Sequence, residues 1–166
     1  MLRVGIITAS DKGARGERED LSGPTLADLV QEIGGEVVEY VVLPDDQTVL
    51  AETMRQWTDE LSLDLILTTG GTGFSLRDVT PEATLTVADR LVPGIAEVMR
   101  MESLKVTPKA MLSRAVAVLR KQTLIINMPG SPKAVRECFA AIAPALPHGI
   151  QILKGEASEC AKPEIV

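Results

Sequence analysis

The residues whose types and spacing can do chemistry concentrate in Thr68 to Thr84, TTGGTGFSLRDVTPEAT. Gly70, Gly71 and Gly73 let a ligand approach the backbone closely, because no Cβ stands in the way. A buried strand ending in such a turn and opening onto a helix is how open α/β proteins hold phosphorylated ligands. Arg77 lies inside the loop as a source of positive charge. Thr80 is expected to cap the next helix, with Pro81 at its first position. A second stretch, NMPGSP from Asn127 to Pro132, repeats the pattern of glycine and hydroxyl after a strand. Either turn alone reads equally well as a tight turn and a cap; their repetition points to anion binding.

Two carboxylates accompany these turns. Asp45 follows Pro44 at one strand end, and Asp78 lies just beyond the glycines. Paired carboxylates beside phosphate turns suit Mg²⁺, which takes oxygen ligands and shares them with substrate phosphates. Such an ion neutralises charge in phosphoryl or nucleotidyl transfer. Asp11, after the first strand, is a third carboxylate that could face the same place. That each aspartate only caps its loop stays open as the alternative.

Other chemistries are poorly served. No Gly-Lys-Ser/Thr follows the glycines, and position 76 is Leu where a dinucleotide fingerprint needs Gly. His148 is the only histidine. It is expected to be partly buried in a terminal helix, which leaves a Ser-His-Asp triad without its base. Cys138 falls on an apolar helix stripe and reads as core. Lys12, Arg15, Arg18 and Lys133 read mainly as solvated charge.

Composition narrows the class. Aromatic residues are 2% of the chain and net charge is −6. A base-stacking platform or a phosphate-backbone binder is therefore not expected. Two cysteines, Cys138 and Cys160, imply neither a zinc site nor a disulfide framework, and suggest a reducing, cytoplasmic setting. No stretch reads as a signal peptide or a membrane span.

The elements that must position these residues alternate. Leu2 to Ala9 is strand-like. The charged stretch after it reads as a mobile surface loop, and Pro24 opens a helix with Leu26, Leu29, Val30 and Ile33 on one face. Glu36 to Leu43 is a second strand, about Gln47 to Leu61 a second helix, and Leu63 to Thr69 a third strand covered on both sides. This β-α-β-α-β order predicts parallel pairing with right-handed crossovers. Further helices are expected after Thr80, after Pro93-Gly94, from Thr107-Pro108 through Met111 to Ala115, after Ser131, and from Pro144 to Leu153. Val116 to Leu119 and Thr123 to Met128 form a hairpin candidate, so the sheet is expected to be mostly parallel but mixed. Residues 1–166 read as a single domain with a polar tail from Gly155 onward.

At these motifs the chain resembles the molybdopterin adenylyltransferase family, the bacterial MogA/MoaB-type proteins and the G domains of gephyrin and its plant counterpart. TTGGTGFSLRDVTPEAT, ESLKVTPKAMLSRAV and TLIINMPGSPKAV carry the resemblance, which runs from Gly5 to about Gly155 and is most like the MogA branch. It implies a three-layer α/β/α sandwich, usually a homotrimer. It also implies Mg²⁺-dependent transfer of AMP from ATP to the terminal phosphate of molybdopterin, with later hand-over to a molybdate-insertion enzyme. On this chain the resemblance makes Asp45 and Asp78 the catalytic and metal-organising acids. Pterin or nucleotide contacts are expected from Ser10, Asp11, Thr69, Gly70, Gly71, Thr72, Gly73, Arg77, Thr80, Ser103, Ser113, Asn127, Pro129, Gly130 and Ser131. A paralogue that binds molybdopterin without chemistry is the competing expectation; the presence of both acids favours the enzyme.

Overall fold

Alternating runs of β-branched residues and amphipathic helices fold here into three layers. The computed structural model describes residues 1–156. β1 (Leu2–Ala9) leads through the one-turn α1 (Asp11–Ala14) and α2 (Ser22–Glu32) to β2 (Gly35–Leu43). α3 (Gln47–Asp59) then crosses to β3 (Leu65–Thr69), and α4 (Thr80–Val87) follows the glycine loop. Next come β4 (Arg90–Leu91), α5 (Pro93–Leu104) and a 3-10 helix over Pro108–Leu112. The hairpin β5 (Ala117–Arg120) and β6 (Thr123–Met128), α6 (Pro132–Ile142) and α7 (Leu146–Leu153) complete the described part.

The sheet order is β2-β1-β3-β6-β5-β4. β2, β1, β3 and β6 run parallel, whereas β5 is antiparallel to both β6 and β4. The expected sandwich with a mixed, mostly parallel sheet is thus present. β3 and β6 are buried along their whole length, as strands covered on both faces must be. One apolar cluster joins Leu26, Val30, Met99, Val135, Phe139 and Ile150 to one face of the sheet. The other joins Leu50, Met54, Trp57 and Val87 to the opposite face. The connections out of β1 and out of β2 therefore lie on opposite faces. That makes the carboxyl ends of β1 and β3 the switch point where open α/β sheets bind ligands.

Several local expectations change. The stretch after β1 is not a free loop. It begins as α1 and is tied back by Asp20, whose carboxylate accepts bonds from Thr8 Oγ1 at 2.5 Å and from the amides of Ser22 and Gly23. Thr80 does not cap α4. It is the helix's first residue, Val79 is the cap, and the Thr80 side chain is buried. The helix expected after Thr107 is only a 3-10 turn, because the Arg114 amide bonds to Thr72 O and draws the chain away. His148 is exposed, since Leu146 and Ile150 take the inward face of α7. Within α5, Met99 is core, Ile95 packs on its edge, and Val98 is 40% exposed. Cys138 is buried and free, as expected. Cys160 and most of the expected tail lie outside the described residues.

Candidate active site

The carboxyl ends of β3 and β6 carry the two glycine turns side by side. Thr69 donates its hydroxyl to Pro129 O at 2.7 Å, joining the turns. A Cβ on Gly130 would stand 3.4 Å from Gly70 Cα, so the two turns lie against each other, and a Cβ on Gly70 would collide with Ala9 O. Gly70 and Gly71 have φ of +89° and +66°, a region that side chains avoid. The paired turns form a wall with a cleft on either side.

One cleft, of about 520 Å³, is the more polar of the two. Ser10, Asp20, Asp45, Gly70, Gly71, Asp78 and Gly130 are among its lining residues. The other, of about 290 Å³, is more apolar, with Thr72, Gly73, Met99, Ser103, Ser113 and Pro129 around it. Residues of one loop thus face different clefts: Gly70 and Gly71 the first, Thr72 and Gly73 the second. In the second turn, Pro129 and Gly130 divide in the same way.

The three expected carboxylates converge on the polar side. Asp45 Oδ2 accepts the Asp11 amide at 2.9 Å, and Asp11 Oδ1 accepts the Asp45 amide at 3.0 Å. Arg77 crosses the loop to grip both Asp11 oxygens at 2.9 Å. That guanidinium, helped by the Asp45 amide, holds the Asp11 carboxyl down to about 2. Asp45 moves the other way. Burial raises its pKa, and the nearby Asp11 and Asp78 charges add to the effect. Asp78 Oδ2 accepts the Ser75 amide at 3.0 Å, which folds the loop end over the cleft.

The donor set fits a hard cation. A Cβ on Gly71 would lie 3.0 Å from Asp45 Oδ1 and would collide with Thr80 Oγ1, so this carboxylate oxygen and this hydroxyl share the glycine's flank. Thr80 Oγ1 is buried and has no hydrogen-bond partner. Clustered carboxylates beside an orphaned hydroxyl form an oxygen-only site short of positive charge. Among the described residues no group of three or more His, Cys, Asp or Glu could enclose a metal alone. The remaining ligands would have to come from substrate and water, as is usual for Mg²⁺.

Other expected residues have their polar atoms spent on structure. Asn127 is buried beneath the apolar cleft. Its Nδ2 donates to Thr68 and Thr84 at 3.0 and 2.8 Å, and its Oδ1 accepts the Val116 amide. Ser10 and Ser131 each cap a helix, and Ser131 is exposed and stands outside both clefts. Ser103 Oγ lies 3.3 Å from Cys138 Sγ. Ser113 Oγ accepts the Ala115 amide. Of the surface cations, Arg18 lines the polar cleft, whereas Arg15 pairs with Glu17 and Lys133 with Glu137.

Sequence reasoning missed two anchors. Asp20 accepts four bonds, the fourth from Tyr40 Oη at 2.5 Å. Burial disfavours its charge, but these donors outweigh burial and lower its pKa; burial and Asp20 together push Tyr40 up to about 12. Ser22 Oγ donates to Gly130 O at 2.7 Å, fastening the same segment to the second turn. The other anchor is Arg114, which sits in the quoted motif ESLKVTPKAMLSRAV but bonds to residues far away in the chain.

Comparison with known proteins gives consistent matches. Residues 5–148 match the family described as a probable molybdopterin-binding domain. A molybdopterin adenylyltransferase of Helicobacter pylori strain J99 is 42% identical over 93% of this chain and 89% of its own. That of Escherichia coli K12 is 41% identical over 99% and 91%. The crystal structure of the molybdopterin biosynthesis enzyme MoaB from Thermus thermophilus superposes with a TM-score of 0.89 at 49% identity, covering 93% of this chain and 98% of that one.

Proposed function

Because the chain belongs to the family of probable molybdopterin-binding domains, we propose that it is a molybdopterin adenylyltransferase working in molybdenum cofactor biosynthesis. The observation that carries this reading is the pair of unlike clefts sharing one glycine wall. A transfer between two bound substrates needs two adjacent sites and a point where reacting atoms meet. One domain supplies both. Among the described residues no helix is long and apolar enough to cross a membrane.

The reaction joins an oxygen of the terminal pterin phosphate to the α-phosphorus of ATP and releases pyrophosphate. The attacking oxygen is already ionised, so no protein base is required. This accords with a cleft built from glycines, hydroxyls and aspartates. The chain's work is to align the two phosphates and to keep their charges together. The amides and open backbone of Gly70 to Gly73 bring phosphate oxygens close to the wall. Arg77 and Arg18 supply positive charge at the rim. Asp45, Asp78 and Thr80 would hold Mg²⁺, with Asp11 and Arg77 fixing Asp45 in place. When bound, the ion would neutralise charge on the phosphates.

The test is incubation with molybdopterin, ATP and Mg²⁺, followed by detection of adenylylated pterin and pyrophosphate. Product is expected, and none when a chelator removes the ion. A pterin-loaded, folded preparation that makes no product with Mg²⁺ present would leave the non-catalytic binding paralogue as the better reading. Passing the product to a molybdate-inserting enzyme, which the resemblance implies, belongs to this same proposal.

A further inference from the structure

Arg114 holds more of the site's backbone than any residue chosen from the sequence. Its Nε donates to Gly73 O at 2.7 Å and one Nη to Asp78 O at 2.7 Å. The other Nη pairs with Glu82, on the first turn of α4. Its own amide donates to Thr72 O at 2.9 Å. One side chain and its amide therefore bind the glycine wall, the far end of the loop and the start of the next helix. The chain separations are 41, 36 and 32 residues.

The geometry points to Arg114 as the positioning residue that sets Asp78 against the glycine wall. It touches no reacting atom, and its role rests on the adenylyltransferase reading. The Asp78 side chain turns back to the Ser75 amide, and the Asp78 amide donates to Ser75 O at 2.9 Å. That small turn fixes the residue's shape but not where it stands in the cleft. Its position comes from the carbonyl that Arg114 grips. Gly73 is held by the same guanidinium, and a Cβ on Gly73 would come within 2.9 Å of Asp78 Oδ2. Wall and carboxylate are thus in near contact under one clamp. Three acceptors in different directions require a planar guanidinium, whose fork a lysine ammonium cannot reproduce. Glu82 lies 40% exposed and neutralises the arginine from outside the cleft.

The test compares Arg114→Gln, Arg114→Lys and Glu82→Gln with the unchanged protein. Amide hydrogen exchange across residues 70–80 is measured without substrate, and kcat and KM are measured in the adenylylation assay. Arg114→Gln is expected to speed exchange in this loop and to lower kcat on the order of 10²-fold, the cost of misplacing a group by about 1 Å. KM for ATP should stay within about 3-fold, because neither substrate loses a direct partner. Arg114→Lys is expected to recover only part of kcat. Glu82→Gln, which leaves both carbonyl bonds, should lose less than about 10-fold.

Unchanged exchange at residues 70–80, a loss confined to KM, or full rescue by lysine overturns the assignment. Should Arg114→Gln show no cooperative melting, the lysine and Glu82 variants carry the same comparison. If the unchanged protein makes no adenylylated pterin, the functional reading falls, and the exchange measurement alone judges whether Arg114 holds the loop.

Discussion

Asp45 and Asp78 reach one cleft from different strand ends, and each is held differently. Asp45 is locked by reciprocal bonds with Asp11, while Asp78 hangs on the loop that Arg114 clamps. Asp78→Asn keeps the hydrogen bond to Ser75 but removes the charge. Turnover is expected to fall about 10²-fold with pterin binding retained, measured by kcat beside equilibrium binding. Asp20 does other work, closing the segment after β1 over the polar cleft. Asp20→Ala leaves the Thr8 and Tyr40 hydroxyls and two amides without their acceptor, and should cost about 1–3 kcal/mol in urea unfolding at neutral pH. The folded-state pKa of Asp20 is depressed below its ordinary 3.8. Its contribution is therefore complete above that value and is lost as pH falls through the lower folded value. The gap between Asp20→Ala and the parent protein should accordingly shrink in acid.

The glycine loop works because its backbone takes conformations that other residues resist. Gly71 combines φ of +66° with Thr80 Oγ1 standing where a Cβ would go. Gly71→Ala should cost about 1–2 kcal/mol from the left-handed conformation alone, with more from the collision. Activity should be lost even where the variant still folds, as melting followed by assay would show. Much at this scale was legible: strand ends, glycine turns and the hairpin follow from local pattern. The 3-10 turn before Arg114 and the two-residue β4 did not. Contacts with Thr72 and with Leu119 and Val118 decide them, and these lie across the fold rather than along the chain.

At the scale of the molecule, the sheet order brings β1, β3 and β6 together and sets their loops into one site. Large apolar side chains are also exposed. Leu91, Met101, Val106 and Met111 are each more than half exposed. We propose that they pack against neighbouring subunits in the homotrimer that the resemblance implies. Sedimentation equilibrium should then give about three times the 17.8 kDa chain mass. A monomer at working concentration would remove the trimer from the account. The sequence by itself determined the alternation of elements, the α/β class with its mostly parallel sheet and the carboxyl-end placement of the glycines and aspartates. Those follow from periodicity and backbone sterics, which act over a few residues. Only the tertiary structure decided which polar atoms remain open to a ligand. Thr69 and Asn127 look like binding residues in a motif but spend their polar atoms on Pro129, Thr68, Thr84 and Val116. Thr80 looks like a cap but keeps a buried hydroxyl with no partner beside Asp45. Hydrogen-bond capacity is allotted by proximity in space, and sequence distance carries no record of it.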